Sequence, residues 1–230
     1  MQQVGPIGWC GCFPMNAHRN AQTNPYAMFR RPITREAYLK AKQVAGPMSV
    51  LDSAPVCDGA AAVILCRTDQ LNGNGARAVS VRASTVATDT ISLNSRRDPL
   101  WLSAVETACQ NAYAQAHVQP SDIDLFELHD ATTVLAPMSL EAAGLAPRGT
   151  GVYAARDGEI GIQGKIPIST LGGLKGRGHP VGASGVYQIA ECVQQLRGEA
   201  GPNQVANTHV AMAQALGGLA ATAITHILTK

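Results

Sequence analysis

Charge and aromatic surface are both scarce in this 230-residue chain: 15% of residues are Asp, Glu, Lys or Arg and 4% are aromatic, against about 25% charged in an ordinary globular protein. So little charge leaves the surface thinly covered, and a buried subunit interface is expected. The balance of 18 basic and 16 acidic residues, a net charge of +2, holds no block of one sign. Nothing in it asks for nucleic acid or an anionic membrane. The six cysteines, Cys10, Cys12, Cys57, Cys66, Cys109 and Cys192, lack the close pairs of a zinc site and the density of a disulfide framework. Reduced thiols in the cytoplasm are expected. No secretory signal is present, since Met1 to Pro14 carries neither a charged start nor a long apolar run. The longest apolar stretch, Val210 to Leu228, is interrupted by Gln214, Gly217, Gly218 and His226, which suits two strands about a Gly-Gly turn better than a membrane span.

What is abundant is small and apolar: 46% hydrophobic residues and 23 glycines, enough for a sizeable core. Asn16 to Ala45 reads as loop and short helix, with a turn at Asn24-Pro25-Tyr26. Arg30, Arg31, Arg35, Lys40 and Lys42 within it form either a solvated basic face or a lobe that meets a nucleotide phosphate. Gly59 to Leu65 has the length and small apolar residues of a central strand. After the turn cluster Asn72-Gly73-Asn74-Gly75, Ala76 to Ala87 alternates like a half-buried strand. Trp101 to His117 has a helical period, Ile123 to Leu128 alternates with period two, and Val134 to Gly144 suits a short helix. Arg148 to Ile166 reads as irregular. Ala183 to Leu196 reads as a helix with Val186, Ile189, Ala190, Val193 and Leu196 on its apolar face and Gly198 as its stop. His209 to Ala213 and Ala220 to Ile227 close the pattern as strands. Strands alternating with helices predict a layered α/β fold.

Three segments carry chemistry. Gly172 to Gly185 delivers His179 from a glycine-rich loop to a helix start, where the positive end of the helix discourages protonation of an imidazole. The run lacks the Gly-Lys-Ser/Thr end of a phosphate loop. Glu127-Leu128-His129-Asp130 sits where an apolar strand runs into a loop, the position at which α/β sheets hold reactive side chains. Each histidine alone reads as well as a structural, hydrogen-bonded one; two at the mouth of one sheet favour a site. Ala215-Leu216-Gly217-Gly218 is either an ordinary hairpin turn or a source of unhindered N–H groups for an oxyanion.

Gly-His-Pro-Val-Gly-Ala-Ser-Gly at 178–185, with Asn24-Pro25-Tyr26 and Asp52 to Leu65, resembles the thiolases, and His129-Asp130 resembles the archaeal and sterol-carrier-protein type. The resemblance runs from about Asn16 to the C-terminus. It implies the C-terminal half of a duplicated αβαβα fold with part of the loop domain: an unmatched segment 1–15, a loop-domain remnant 16–48, the last part of the N-terminal half at 49–72, and the C-terminal half at 76–230. It also implies acyl transfer between coenzyme A thioesters, of the acetyl-CoA acetyltransferase or 3-ketoacyl-CoA thiolase class. His179 and His129 would be catalytic, Gly217 would give an oxyanion N–H, and Gly182, Gly185 and Gly218 would lie against substrate. No cofactor beyond the acyl-CoA substrate and no metal is implied. The family's nucleophilic cysteine has no counterpart among the six, and Ala131 and Ala215 stand where acid/base thiols occur, with Thr132 at an aromatic position. The chain alone is therefore expected to be inactive and to need a second copy or a complementing N-terminal half. The alternative is a non-catalytic acyl-CoA-binding or scaffold member of the family.

Overall fold

The C-terminal hairpin organises the molecule. In the computed structural model, which describes residues 6–71 and 77–230, strands β5 (Val210–Gly217) and β6 (Thr222–Thr229) pair antiparallel from Val210 opposite Thr229 to Gly217 opposite Thr222. Their alternating sequences bury one residue set and leave the other to a helix layer or solvent. The turn between them takes positive φ at Gly218 (59°) and Ala220 (57°), so the Gly-Gly step provides the backbone freedom expected of it. β3 (Ser80–Thr88) joins β6 antiparallel, and β4 (Leu125–Glu127) joins β5 parallel, giving the order β3-β6-β5-β4. The Asn72–Gly75 turn and Ala76 lie outside the described residues.

Helix α4 (Ser103–Ala116) covers one face of this sheet and α7 (Ser184–Arg197) the other. On α4 the buried residues include Val105, Ala108, Cys109, Ala112 and Ala116, a stripe at helical spacing whose alanines let the helix sit close to the strands. It ends at His117 in the left-handed conformation. α5 (Leu135–Ala142) packs beside α4. The main core lies between the sheet, α4 and α5, with Phe126, Leu128, Leu140 and Met212 fully buried.

Ahead of the sheet come α1 (Pro6–Cys10), α2 (Cys12–Ala21), α3 (Arg35–Leu39) and the small β1–β2 pair, Gln43–Ala45 with Met48–Ser49. α2 is continuous through residue 15 and is fastened by its side chains: the Asn16 amide donates to the Ile160 and Ile168 carbonyls and the Asn20 amide to those of Ile168 and Ser169. The basic residues Arg30, Arg31, Arg35, Lys40 and Lys42 are all exposed, with Lys40 paired to Glu36. None of the described helices is long and apolar enough to cross a membrane.

Three expectations are corrected. Gly59 to Leu65 is not a strand: it is extended but unpaired, with Ile64 96% and Leu65 77% exposed. Apolar sequence makes a strand only beside another strand that takes up its peptide groups, and no described strand lies alongside it. Arg148 to Ile166 is not wholly irregular, since Gly151–Arg156 forms helix α6. Finally, α7 has the expected span and buries the expected Leu196, with Cys192, but a polar stripe lies as deep: Ser184, Gln188, Glu191 and Gln195 are buried, whereas Val186 and Ala190 are only half-buried.

Candidate functional site

β4 ends where polar side chains take over from the sheet. The Gln188 amide of α7 reaches across to donate to the carbonyls of Glu127 (3.2 Å), Leu128 (2.8 Å) and Gln214 (2.9 Å). Carbonyls that the ladder leaves open are thus satisfied from the helix, and the chain is released into a turn at His129. Asp130 follows, buried, with Oδ1 accepting from the Leu174 N–H (2.7 Å) and Oδ2 from the Ser169 hydroxyl (3.1 Å). The glycine loop is wound about this carboxylate as a π-helical turn, Gly173–Arg177. A Cβ on Gly173 would sit 2.4 Å from Asp130 Oδ2, and its φ is +55°, so only glycine fits. Burial works to raise the Asp130 pKa, and the net shift is upward; its place in the fold is that of a loop organiser.

A segment that the sequence marked only by its family resemblance holds both histidine turns. The Ala54 N–H donates to the Ala131 carbonyl (2.8 Å) and the Thr133 N–H to that of Asp52 (2.8 Å), while the His179 N–H donates to the Pro55 carbonyl (2.9 Å) and the Cys57 N–H to that of His179 (3.4 Å). Residues 52–57 form a main-chain clasp, bridged to Thr132 at one end and to His179 at the other. The Lys175 ammonium fastens the same segment by donating to the Ser53 carbonyl (2.7 Å). The readable signal was the Ser49-x-x-Asp52 capping box at its start, in which Asp52 accepts from the Ser49 N–H and hydroxyl and from the Tyr38 hydroxyl.

His129 and His179 come together: their ring centroids lie 5.3 Å apart with the planes at 87°, edge to face. His129 is 8% exposed and His179 half-buried. The His179 Nδ1 is 2.7 Å from the hydroxyl of Ser184, the first residue of α7, which leaves Nε2 for a second partner. Burial pushes the His129 pKa down to about 4, helped by the charges of His179 and Arg177. His179 is lowered as well, by burial and then by Arg177. Desolvation and one guanidinium keep the pair neutral, where the sequence pointed to the helix end. Two neutral imidazoles at pH 7 each offer one N–H and one lone pair.

The remaining expected site residues sit around the rim. Gly217 closes β5 and, like Gly218, is exposed. Gly185, in the first turn of α7, lies against Ala215: an added Cβ would be 3.3 Å from the Ala215 Cβ, so the hairpin end and the start of α7 are neighbours. Gly182 is exposed with open space about it. No contact joins Gly217 or Gly218 to either imidazole. Burial pushes the Cys109 thiol up to about 12 and the Cys192 thiol well above its usual value, which keeps both from nucleophilic work, while Cys66 is exposed and Cys57 lies half-buried beside Gly178. Among the described residues no group of three or more His, Cys, Asp or Glu side chains is placed to hold a metal ion. A groove of about 800 Å³ beside α4 and α5 is lined by Trp101, Tyr113 and Glu141 among others and includes neither histidine.

This arrangement has relatives. Residues 85–230 match the family description "Thiolase C-terminal domain-like". The acetyl-CoA acetyltransferase of Methanothermobacter thermautotrophicus is 43% identical over 213 residues, covering 93% of this chain and 56% of that protein. Sterol carrier protein 2 of Rattus norvegicus is 33% identical over 222 residues, covering 94% of this chain and 40% of that protein. Of solved structures, an Ltp2–ChsH2(DUF35) aldolase superposes with a TM-score of 0.81 at 23% identity, over 96% of this chain and 58% of that one. A monomeric SCP2-thiolase-like protein type 1 from Mycobacterium smegmatis gives 0.71 at 19% identity, over 97% and 46%; both show likeness of fold. The chain spans about half the length of the curated relatives it matches. With the family's C-terminal description covering well over half of its residues, and the paired histidines standing on that part of the fold, the chain belongs to the thiolase family.

Proposed function

We propose that this chain carries the imidazole and oxyanion groups of a thiolase-type acyltransferase acting on coenzyme A thioesters, of the acetyl-CoA acetyltransferase or 3-ketoacyl-CoA thiolase class. The observation that carries the reading is the neutral histidine pair, 5.3 Å apart and edge to face. In this reading a cysteine from a complementing segment attacks the thioester carbon, the bond to the CoA sulfur breaks, and CoA leaves as the thiol with the proton given up by the cysteine. His179, anchored through Nδ1 on Ser184, donates from Nε2 to the thioester oxygen. His129 supports the same oxyanion, and the Gly217 N–H serves a second one. Gly182, Gly185 and Gly218 leave room for the substrate to approach the backbone. The segments 16–48, 49–72 and 76–230 are the loop-domain remnant, the end of an N-terminal half and the C-terminal half. No cofactor beyond the CoA substrate takes part, and the setting is cytoplasmic.

The test is to purify the chain together with a cysteine-bearing N-terminal thiolase half and to look for acyl-enzyme with radiolabelled acetyl-CoA. Labelling that falls on the order of 10²-fold in His179→Ala supports the reading; no labelling rejects it. Ala131 and Ala215, which offer no thiol for proton transfer, favour a second reading, a non-catalytic acyl-CoA-binding scaffold. That reading fails if His179→Ala changes turnover in the purified complex. Either reading expects association, because Ile64, Leu65, Val86 and Ile91 are all more than half exposed. A well-behaved monomer in size-exclusion chromatography with light scattering contradicts it.

A further inference from the structure

Below the histidine pair, buried polar atoms without partners gather on one side of β4. Phe126 and Leu128 face the core that α4 covers, while Leu125 packs with Cys192 and Leu196 of α7. Alternation along the strand therefore carries Glu127 and His129 to the α7 side. There they meet Glu191 and Arg177, whose Nε and Oε1 are 2.7 Å apart in an ion pair only 3% and 5% exposed. Among the described residues, Glu127 Oε2, His129 Nδ1, Arg177 Nη2 and Glu191 Oε2 are buried and have no hydrogen-bond partner, and the same holds for Gln188 Oε1 and for Arg177 Nε, whose 2.7 Å approach to Glu191 is an ion pair. A buried donor or acceptor left unmet is costly.

The charges show where the proton is. Two carboxyls share one guanidinium, and Glu191 holds it. Like charges this close are not both ionised without a second cation, so Glu127 is the neutral member. Burial, then the charge of Glu191, push the Glu127 carboxyl up to about 8. Its Oε1 accepts from both the N–H (2.8 Å) and the hydroxyl (2.5 Å) of Thr170, which assigns the proton to Oε2. The other groups facing it from α7 and the glycine loop are Glu191, Arg177 and the neutral Cys192 thiol.

We propose that Glu127 is the positioning residue of the pair: through one bridging water, its Oε2 proton holds His129 in the tautomer that keeps its hydrogen on Nε2, facing the pocket. The donor count supports this. The Glu127 O–H and an Arg177 Nη2–H donate to the water, and the water donates to His129 Nδ1 and Glu191 Oε2. One water so placed meets these four atoms at once, within the two to four partners a buried water takes. An ionised Glu127, or a hydrogen on His129 Nδ1, breaks that balance. In purpose the proposal rests on reading His129 as an oxyanion donor, but its observables do not.

The experiment is side-chain NMR on the full chain, labelled with ¹³C and ¹⁵N, at pH 7 without substrate. In the wild type we expect a protonated Glu127 carboxyl and a His129 whose Nδ1 has the ¹⁵N shift of a bare, hydrogen-bonded nitrogen. Glu127→Gln, which keeps a donor in the same place, preserves the His129 pattern. Glu127→Leu moves it toward averaged tautomers. An ionised Glu127, a hydrogen on His129 Nδ1, or an unchanged His129 in Glu127→Leu each overturns the proposal. Should Glu127→Leu not fold, the wild-type shifts decide alone. Failure of acyl transfer leaves these shifts intact, so the two readings fail separately.

Discussion

Two helices cover the same sheet by opposite means. α4 lays a stripe of alanines with Val105 and Cys109 on its face, and the strands beneath answer mostly with hydrocarbon, apart from Thr85, Gln214 and Thr225, which bond to Ala108, Cys109 and each other. α7 buries Ser184, Gln188, Glu191 and Gln195 and spends them on main-chain carbonyls and on Arg177. Burying polar groups is costly unless each is met, so the α7 face gains little stability for its area. What it gains is position: Ser184 holds His179, Gln188 ends β4 two residues before His129, and Glu191 holds Arg177. One face gives cohesion and the other places chemical groups.

That division can be broken in measurable ways. The largest effect is expected on the α7 side: Arg177→Met strands the buried Glu191 carboxylate and costs about 3–5 kcal/mol in urea unfolding, with part of the loss recovered as acid protonates Glu191. Next come the pH dependences. His129 has a folded pKa of about 4 against a model-compound 6.5, so the unfolded chain binds the extra proton between these values and stability falls as pH drops through that window. At about 1.4 kcal/mol per pKa unit, the fall is up to roughly 3 kcal/mol. Glu127 runs the other way: with its pKa raised from 4.5 to about 8, the folded state binds the extra proton, and stability falls as pH rises from 4.5 to 8. The two oppose each other up to pH 6.5, above which Glu127 acts alone. Denaturation midpoints against pH should therefore lose their alkaline decline in Glu127→Gln and their acid decline in His129→Gln.

A smaller pair sharpens the contrast. Ala108→Leu overfills the tight α4 face for about 1–3 kcal/mol and leaves the His129 NMR signals unmoved. Gln188→Leu leaves three carbonyls short of a donor, costs a similar amount and shifts those signals. If both substitutions move His129, or neither does, the division between the faces fails. The smallest effect is expected away from both helices: Ile64→Ser, at a residue 96% exposed, changes stability by no more than about 0.5 kcal/mol.

How much of this could be read from the sequence follows the same line. α4, β4, the closing hairpin and the Gly198 stop of α7 were legible because each has a local cause: a period, a turn pair, a left-handed cap. The closing strands were read short, since β5 runs on to Gly217 rather than stopping at Ala213. The two histidines were legible as types and as loop positions, and the structure brings them together. The deep face of α7 was not, because a helical wheel rewards apolar spacing and gives no credit to a glutamine that reaches a strand-end carbonyl. Gly59 to Leu65 misled for the converse reason, since its composition suits a strand but pairing is a property of neighbours. Asp130 follows His129 directly, yet it is turned toward Gly173 and Leu174, a direction no residue spacing records.

The clasp at residues 52–57 grips both reactive turns by peptide groups alone. Side-chain identity at Ala54, Val56 or Cys57 therefore matters little to the spacing of the imidazoles, and drift there is silent. Chain length is another matter: adding or removing a single link between Ala54 and Cys57 would throw one turn out of step with the other while leaving both histidines in the sequence.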